Sequence, residues 1–596
     1  MKTFVRTSSL ALRRHHLPNL GIVAGAVATV LAGSAFAAGK TYTSQVDFNL
    51  GAIENLDDKA TPGQLQVNVI GVGSRYIFVA NHNEDSVSKF DTTNVIENGV
   101  ISAPGKEVAR YKTFAGSPGQ DNGGHPSRIA IDVDGNAYVL NRMDGYGTPP
   151  YLMKILVDTV VDHNLNGIID TSHEINGIPG IQPAAEMLPL TANTNAALND
   201  DRVAWIAPIG TGTSFGRSVC IAPDGKLWVG IWNQGRYYRV DPSNGATLPI
   251  GSSNMPYVQL SGWLPYGCTV DKSGILWSAN LQYSGFGRVD TNTGTSSRIG
   301  NPYHSYNYGI AQGNGKIYQA PFQGGYGWAA YDPVANAWSK SPHGYNGAGI
   351  AIDGEGNILS TDYSSIRKYK PDGTLLWSKF EGGTTYGVMI DGNNDVWVMN
   401  TGTNRTTKYS GTDGQLIGFL PTGRNPYVYT DGSGLTTKNT TNNKLGTWTV
   451  VYDSGATGTA WGKINWNDVT PTGANIQVRA RATDNLASID LQPYQPVTKN
   501  TSFTAAGRYI QVQTRLQTNA TNESPVLTDL TVNSAILTCD LDGDSDVDTI
   551  DLAGIRAGIG KTPTANDPRD ATGDGKITIN DVRACTLKCT RPACAQ

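Results

Sequence analysis

Aspartate residues recur at alternate positions of a twelve-residue segment near the C-terminus. Positions 1, 3, 5, 7, 9 and 12 of this segment are Asp540, Asp542, Asp544, Asp546, Asp548 and Asp551. Calcium takes six to eight hard oxygen ligands at about 2.4 Å, and alternate residues of a tight loop can supply them. Six carboxylates in so short a loop repel one another unless a cation neutralises them. The spacing therefore predicts a Ca²⁺ site, with a solvated acidic turn as the alternative.

Two further segments carry oxygen donors at similar spacing. The second loop offers Asp570, Thr572, Asp574, the carbonyl of Lys576, Thr578 and Asp581, with Gly575 at position 6. A third loop, in an insertion at residues 160–200, offers Asp162, Asn164, Asn166, the carbonyl of Ile168, Asp170 and, one place late, Glu174. We expect Ca²⁺ in both. For the third loop, an Asn/Gly turn without metal is the alternative.

Each C-terminal loop is followed by apolar residues at helical spacing. Leu552, Ile555 and Ile559 lie at i, i+3 and i+7, and Val582 and Cys585 repeat the beginning of that pattern. The two loop–helix units resemble a type I dockerin over residues 538–596, with Asp instead of the Glu of ordinary EF-hands at position 12. The resemblance implies a small α-helical, calcium-binding domain and a cohesin-like partner. Thr549-Ile550 and Ile579-Asn580 replace the Ser-Thr pairs with which many dockerins recognise cohesin.

A repeated unit fills residues 60–430. Each copy has an alternating apolar strand, an Asp/Gly turn and a second strand with a large apolar anchor. The anchors are Phe78, Tyr138, Trp228, Trp277, Tyr318, Leu359 and Trp397. Small sheets recurring about every forty residues bury their faces when they are arranged radially. The pattern predicts a mainly β protein with a seven-bladed β-propeller at 41–435, and an open solenoid is the alternative. Residues 425–432 resemble an extra first strand that could complete the first blade.

The repeat resembles the NHL, YVTN and streptogramin-lyase superfamily of propellers, and residues 78–91 resemble a YVTN unit. Streptogramin lyases have a His at the start of one first strand, a Glu closing a second strand, and a magnesium ion. The corresponding first-strand residues here are Ser127, Arg217, Tyr266, Tyr308, Ala348 and Tyr386, and the second-strand residues are Asn81, Asn141, Asn280, Asp362 and Asn400. His125 and His343 come a few residues too early. Lyase activity is therefore not expected, because a general base must reach its proton.

The same first-strand positions predict a different kind of site. Arg217, Tyr266, Tyr308 and Tyr386 begin strands that face the central funnel of a propeller. Aromatic and polar side chains together suit glycan or peptide ligands, through stacking and hydrogen bonds. The alternative, which we favour at this point, is that the tyrosines pack the blades together.

Residues 444–534 lose the propeller period and predict a β-sandwich, because strand-like runs alternate there with Gly, Asn, Thr and Pro. Trp461 and Trp466 could stack on sugar rings or lie in the core, and the core is the favoured interpretation. No motif in this stretch identifies a ligand.

Residues 1–37 predict a cleavable export signal, because a positively charged start precedes a short apolar run and Ala35-Phe36-Ala37. The cysteines fit an exported protein. Cys539, Cys585, Cys589 and Cys594 allow three disulfide connectivities, and the sequence does not choose among them. Cys220 and Cys268 are either thiols or a pair, and we expect buried thiols.

Composition limits the remaining function classes. The chain has 596 residues, of which 70 are Gly, 30 are Pro and only 16% are charged, with a formal charge of −4. These values exclude a helical bundle, and the negative formal charge lacks the excess of basic residues that is typical of nucleic-acid-binding proteins. No membrane span is expected after signal cleavage. We expect a secreted, non-catalytic protein that binds or assembles with glycan, peptide or protein partners. The alternatives to release outside the cell are the cell surface and the periplasm. A polysaccharide-active dockerin protein, with Glu355 and Asp362 as nearest paired carboxylates, is the alternative.

Overall fold

The computed structural model describes residues 39–594 except 58–60, 69–72, 98, 144–146, 159, 161, 164, 166–168, 174–186, 305, 323–325, 343–346, 429, 441–443, 520, 535–538, 542–546, 564–566, 573 and 590–593. The expected export signal, 1–37, lies outside the described residues. Contacts divide the chain into residues 38–536 and a second unit that contains residues 537–596. None of the helices in the described ranges has the length and apolar character needed to cross a membrane.

The described chain begins with short elements that precede the repeats. They are β1 (Gly39–Tyr42), α1 (Gln45–Phe48), β2 (Ala52–Glu54), β3 (Leu56–Asp57) and β4 (Leu65–Val67). The expectation that the propeller starts at residue 41 is wrong for these elements. β1 and β4 pair with Val526–Ser534, and β2 pairs with Leu445–Asp453. They pair there because their alternating apolar residues, such as Leu65 and Val67, enter the core of the later domain.

In the described part of residues 76–421, seven antiparallel sheets of three or four strands follow one another, besides one two-stranded hairpin. The first contains β5 (Tyr76–Asn81), β6 (Ser86–Asp91) and β9 (Lys106–Lys112), with a separate hairpin of β7 (Val95–Glu97) and β8 (Val100–Ala103). The second contains β10 (Pro126–Ile131), β11 (Ala137–Asn141), β12 (Tyr151–Ile155) and β13 (Val203–Pro208). The third contains β14 (Gly216–Ile221), β15 (Leu227–Ile231), β16 (Arg236–Val240) and β17 (Tyr257–Gln259).

The next four sheets repeat the same meander. They contain β18 (Gly267–Val270), β19 (Ile275–Ala279), β20 (Phe286–Asp290) and β21 (Ser296–Ile299); β22 (Asn307–Gly313), β23 (Lys316–Pro321), β24 (Ala329–Asp332) and β25 (Ala337–Lys340); β26 (Ile350–Ile352), β27 (Ile358–Thr361), β28 (Ser365–Tyr369) and β29 (Leu375–Phe380); and β30 (Thr385–Ile390), β31 (Val396–Asn400), β32 (Arg405–Tyr409) and β33 (Leu416–Pro421). The first strand of each sheet contacts that of the next, from β10 to β30, and β10 also contacts β5.

The ring of sheets closes by a strand exchange between its two ends. The segment 426–433 runs beside β5, where Phe78 N donates to Gly432 O at 3.0 Å and Tyr427 N donates to Ala80 O at 2.9 Å. Asn81 and Pro426 also form an isolated β-bridge, so the far end of the repeat region lies along the β5 edge of the three-stranded first sheet. Residues of the first, second and last sheets also share one apolar core. The repeat region is a β-propeller.

The Asp/Gly turn of the repeat is held by its own aspartate. The Asp271 carboxylate accepts hydrogen bonds from Ser273 N at 2.9 Å and Ile275 N at 3.0 Å, and from the indole of Trp277 at 2.8 Å. Asp391 accepts from Trp397 Nε1 in the same way, at 2.9 Å. The motif therefore joins the turn to the anchor of the following strand, which explains why both recur together.

The chain then forms a two-sheet domain, which we define as residues 39–67 together with 445–534. Helix α2 (Leu435–Thr440) leads into β34 (Leu445–Asp453), β35 (Ala460–Val469), β36 (Asn475–Thr483), β37 (Gln495–Val497), β38 (Ser502–Ala506), β39 (Tyr509–Gln517) and β40 (Val526–Ser534). One sheet has the order β3-β4-β40-β35-β38 and the other β2-β34-β39-β36-β37. They enclose one core, in which Trp461 and Trp466 are buried as the favoured interpretation expected. Short 3-10 helices elsewhere span His82–Glu84, Asn195–Ala197, Trp232–Gln234 and Leu486–Leu491.

The C-terminal unit contains two short helices, α3 (Thr549–Gly558) and α4 (Ile579–Thr586). Both begin with a capping box, at Asp548 and Thr578. Leu552 and Ile555 lie in the core as predicted, but Ile559 follows the last helical residue and is 45% exposed. The predicted apolar face of the helix, from Leu552 to Ile559, is therefore about one turn longer than the face that is buried in the structure.

Three disulfides join all six cysteines. In the C-terminal unit the connectivity is Cys539–Cys585 and Cys589–Cys594. The expectation of buried thiols at Cys220 and Cys268 is wrong, because these residues form the third bond. They lie on β14 and β18, the first strands of neighbouring sheets, and this contact brings their Cα atoms to 5.9 Å.

Candidate functional site

The six first strands β10, β14, β18, β22, β26 and β30 begin around one mouth of the propeller, together with the segment that closes the ring. The residues at this position are Ser127, Arg217, Tyr266, Tyr308, Ala348, Tyr386 and, on the closing segment, Tyr427. The residue that follows each second strand comes to the same end of the sheet, because the two strands are antiparallel neighbours. This second set includes His82, Arg142, Trp232 and Phe322, and Leu281 lies one residue further on after β19. We call these two sets of residues the mouth.

Aromatic side chains fill the centre of the mouth. Tyr308 stacks on Phe322 at 5.0 Å between ring centroids and lies 5.3 Å from Tyr266. Tyr386 lies 5.2 Å from Tyr427, whose hydroxyl also contacts that of Tyr308. Tyr266 and Tyr308 are 4% and 1% exposed, whereas Tyr386 and Tyr427 are half-buried. Of the predicted ligand residues, Tyr266 and Tyr308 therefore form the floor, and Tyr386 and Arg217 lie at the surface of the mouth.

Arg128 is a buried cation next to the floor of the mouth. Its guanidinium is fully buried and donates to the carbonyl of Arg217 at 2.5 Å and to that of Tyr266 at 3.1 Å. It also lies over the Tyr266 ring, 4.9 Å from the centroid. A cation bound to carbonyls of two other blades fixes the floor and adds positive charge below it.

Sequence reasoning missed a cluster at one side of the mouth. The His82 and His125 rings stack at 4.4 Å, and Arg142 Nη1 lies 3.0 Å from His82 Nε2. Because a guanidinium can only donate, His82 Nε2 accepts this hydrogen bond and its Nδ1 donates to Asn83 Oδ1 at 2.9 Å. Arg142 also lies over the Tyr427 ring, at 5.5 Å. The available signal was the residue after each second strand, which the sequence analysis did not align.

The carboxylates named for hydrolysis do not come together. Glu355 precedes β27 and Asp362 follows it, so they lie at opposite ends of that strand. Asp362 is in an ion pair with Arg367, and the Glu355 side chain is 70% exposed beside Lys368. These two carboxylates cannot act on the same glycosidic bond, since a catalytic pair must lie about 5–9 Å apart.

The second C-terminal loop is organised by Asp581, the residue at position 12. Its carboxylate accepts hydrogen bonds from Thr572 N at 2.9 Å and Thr578 N at 2.7 Å, and from both hydroxyls. Burial alone would raise the pKa of this carboxyl, but the hydrogen bonds outweigh it and lower the pKa. Asp570 accepts from Asp574 N and Gly575 N, and Gly575 has the φ of +79° that position 6 requires. Asp570, Thr572, Asp574, Lys576, Thr578 and Asp581 thus all lie around one turn.

The first loop has the same organisation in the part that is described. Asp551, at position 12, accepts from Leu541 N at 2.6 Å and Asp548 N at 2.9 Å. Asp540, Asp548 and Asp551 are all buried, at 4%, 3% and 0% exposure. Asp542, Asp544 and Asp546 lie outside the described residues.

The insertion loop uses an acid that the sequence analysis did not name. Asp201, which is fully buried, accepts from His163 N at 3.0 Å and Asp170 N at 2.8 Å. These amides belong to positions 2 and 9 of the third predicted loop, the same positions that donate to Asp551 in the first. Asp162 and Asp170 therefore lie in a loop closed by a distant aspartate. Asn164, Asn166, Ile168 and Glu174 lie outside the described residues.

The donor set of these loops is chemically suited to Ca²⁺, since it consists of carboxylate, hydroxyl and carbonyl oxygens. Over the described residues, no group of three or more His, Cys, Asp or Glu side chains converges to hold a metal ion. In the second loop the carboxylates of Asp570, Asp574 and Asp581 accept amide hydrogen bonds of the loop itself.

No protein-family model and no curated protein matches the sequence. Among solved structures, the chain is similar to virginiamycin B lyase from Staphylococcus aureus, with 12% identity, a TM-score of 0.36 and coverage of 54% of this chain and 90% of the lyase. A streptogramin B lyase structure is similar with 17% identity, a TM-score of 0.32 and coverage of 47% and 91%. A nidogen/laminin complex is similar with 9% identity, a TM-score of 0.32 and coverage of 60% and 97%. At these values the similarities do not bear on activity or partners.

Proposed function

We propose that the chain is an exported, calcium-binding and non-catalytic binding protein. In this proposal the seven sheets are the blades of a seven-bladed propeller, the two-sheet domain is a β-sandwich, and residues 538–596 form a dockerin-like domain. The mouth of the propeller binds a glycan or peptide outside the cell. The observation that carries this proposal is the mouth itself, where half-buried Tyr386 and Tyr427 pack together, Arg142 lies over the Tyr427 ring and Arg217 over the Tyr266 ring.

The chemistry of the mouth favours binding over catalysis. Aromatic faces stack on sugar rings or on peptide side chains, and guanidinium groups donate to hydroxyl, carbonyl or carboxylate oxygens. The tyrosine floor and Arg128 hold these groups in place, so little conformational entropy is lost when a ligand binds. Asp362 is the acid of the mouth that the sequence analysis named, and its carboxylate already forms an ion pair with Arg367.

A glycan and peptide array probed with the full chain tests this function, together with a reducing-sugar assay on every glycan that binds. We expect saturable binding without release of reducing ends. Tyr386→Ala and Arg217→Gln should weaken binding at least tenfold, whereas Phe380→Ala, on outer strand β29 and 75% exposed, should not. Release of reducing ends, or equal binding by all variants, would contradict the proposal.

Calcium binding by the C-terminal loops is the second part of the proposal. Titration calorimetry on the full chain should show at least two Ca²⁺ ions, and saturation should raise the melting temperature of the C-terminal unit through linkage. Asp581→Asn and Asp551→Asn should each remove one ion. Asp332→Asn, at a propeller turn, is the control. If no calcium is taken up, this part is wrong even where the array result stands.

A further inference from the structure

A cavity of about 790 Å³ lies between the first two propeller sheets and the two-sheet domain. Its wall carries eight Lys and Arg side chains and six carboxylates. Four of the carboxylates are in ion pairs with arginines of the wall: Asp91 with Arg75, Asp158 with Arg479, Asp490 with Arg481, and Asp134 with Arg515. The cavity therefore has a surplus of positive charge. It is separate from the mouth and does not depend on the function proposed there.

Three of the cations form a chain through backbone carbonyls. Lys89 Nζ and Arg202 Nη1 donate to the same oxygen, Val157 O, at 2.6 and 3.0 Å. Arg202 Nη2 and Arg481 Nη1 then share Asp490 O, at 2.9 and 3.1 Å. Lys89 and Arg202 thus lie side by side, each bound to neutral oxygens instead of a carboxylate of the described residues.

This arrangement is unfavourable without a further anion. Lys89, Arg202 and Arg481 are only 5%, 7% and 3% exposed. Burial lowers the pKa of Lys89 to about 7 and the charge of Arg202 acts in the same direction, which outweighs the opposite effect of Asp158, Asp490 and Asp91. Two buried cations that share one carbonyl oxygen repel each other, and buried charges are normally paired. An oxyanion next to them would supply the missing negative charge.

The rest of the wall suits the body of a small polar molecule. Arg479 and Arg481 both lie 4.2 Å from the ring centroid of Tyr494, which holds their guanidinium planes in position. Tyr494 in turn donates to Gln511 Oε1 at 2.7 Å. A volume of this size is within the range of ordinary ligand sites, which is about 300–1,000 Å³.

We propose that this cavity binds a small organic anion through a carboxylate or phosphate group held by Lys89 and Arg202. The edge of the Tyr494 ring and the amide of Gln511 contact its uncharged part, since the guanidinium groups of Arg479 and Arg481 lie over the ring. Binding joins the first two blades to the two-sheet domain, since each of these parts contributes at least one of the four side chains.

Titration calorimetry on the full chain with D-glucuronate and with glucose 6-phosphate tests the proposal, and the two arms distinguish a carboxylate ligand from a phosphate ligand. Glucose is the neutral control. We expect one of the anions to bind saturably with a stoichiometry of one, and glucose not to bind. Lys89→Met and Arg202→Gln should each weaken binding at least tenfold. Lys154→Met is the matched control, because Lys154 has the same register position in the second sheet as Lys89 in the first.

Two outcomes would overturn the proposal. One is that neither anion gives saturable heat up to about 10 mM. The other is that Lys89→Met and Arg202→Gln bind as tightly as the wild type. If Lys89→Met does not fold, as judged by circular dichroism, Arg202→Gln decides the question, because glutamine retains a donor toward Val157 O. A rise in the wild-type melting temperature with the anion, absent in Arg202→Gln, is the independent measurement.

Discussion

Trp397 and Lys408 pair directly across the two middle strands of the last propeller sheet, with Lys408 Nζ 5.4 Å from the indole centroid. The indole donates to Asp391 Oδ2, and Lys408 lies 3.3 Å from the same oxygen. Asp132, Tyr138 and Lys154 repeat this trio in the second sheet. Six of the seven anchors stand opposite a lysine or arginine, at Lys89, Lys154, Arg239, Arg288, Lys368 and Lys408.

Removing the cation of this trio should destabilise the propeller. In Lys408→Met the Asp391 carboxylate, which is fully buried, loses its ion pair, and such a loss costs about 3–5 kcal/mol. We expect the apparent melting temperature to fall by about 5 °C. Differential scanning calorimetry measures it. The exposed Lys370→Met should change the midpoint by less than about 1 °C. Equal midpoints for the two variants would mean that the buried pair contributes nothing.

Closing the ring depends on the segment 426–433. Val428 is fully buried in a core shared with Ile77 and Met389. Val428→Asp should cost several kcal/mol, because it places a carboxyl in that apolar core without a partner. We expect a lower midpoint and faster tryptic cleavage between residues 420 and 440. Val334→Asp is the control, since Val334 is 96% exposed. Unchanged cleavage in Val428→Asp would show that the ring closes without this strand.

The bond between Cys220 and Cys268 should stabilise the propeller mainly by limiting its unfolded state. It closes a loop with a sequence separation of 48, for which chain entropy gives about 4 kcal/mol. The double variant Cys220→Ser/Cys268→Ser should therefore lower the propeller midpoint in calorimetry. The Cys589–Cys594 bond closes a sequence separation of only 5, and it lies in the C-terminal unit. The double variant Cys589→Ser/Cys594→Ser should therefore leave the propeller midpoint unchanged. If both double variants lower the propeller midpoint equally, the stabilisation does not come from closing the loop between Cys220 and Cys268.

The sequence predicted the parts of the fold that depend on local repetition. The strand–turn–strand units, their anchors and the closing segment follow from alternation and turn chemistry, which act over a few residues. It did not predict that β1, β2 and β4 join strands at Leu445–Asp453 and Val526–Ser534, because short strands carry no signal for a distant partner. The disulfide at Cys220 was missed for the same reason.

The residues of the candidate site likewise divide into those that the sequence predicted and those that it missed. Arg217, Tyr266, Tyr308 and Tyr386 were found because they share one position of the repeat. Their different roles were not visible, since the full burial of Tyr308 and the partial burial of Tyr386 depend on the neighbouring blades. His82 and Arg142 follow second strands at a position that the sequence analysis did not align, and Asp201 lies in a turn at the end of the insertion, where the repeat gives no register. Only the assembled ring brings them to their partners.

His304 should make stability depend on pH in the mildly acidic range. Burial lowers the pKa of its imidazole from 6.5 to about 4, against weaker contributions from the Tyr326 backbone and Asn307. Between these values the unfolded chain binds more protons, so the free energy of unfolding rises with pH. The slope reaches about 1.4 kcal/mol per pH unit. This contribution is complete above pH 6.5 and is lost as the pH falls toward 4.

The test compares melting temperatures of the wild type and His304→Gln from pH 7.5 to 4.5. We expect the wild type to lose stability more steeply below pH 6.5, because glutamine does not titrate. Asp132 provides a control of opposite sign: burial raises the pKa of its carboxyl to about 6, so its contribution to stability is lost as the pH rises. Asp132→Asn should therefore make the acid-side loss steeper. Parallel curves for wild type and His304→Gln would mean that His304 is protonated alike in both states.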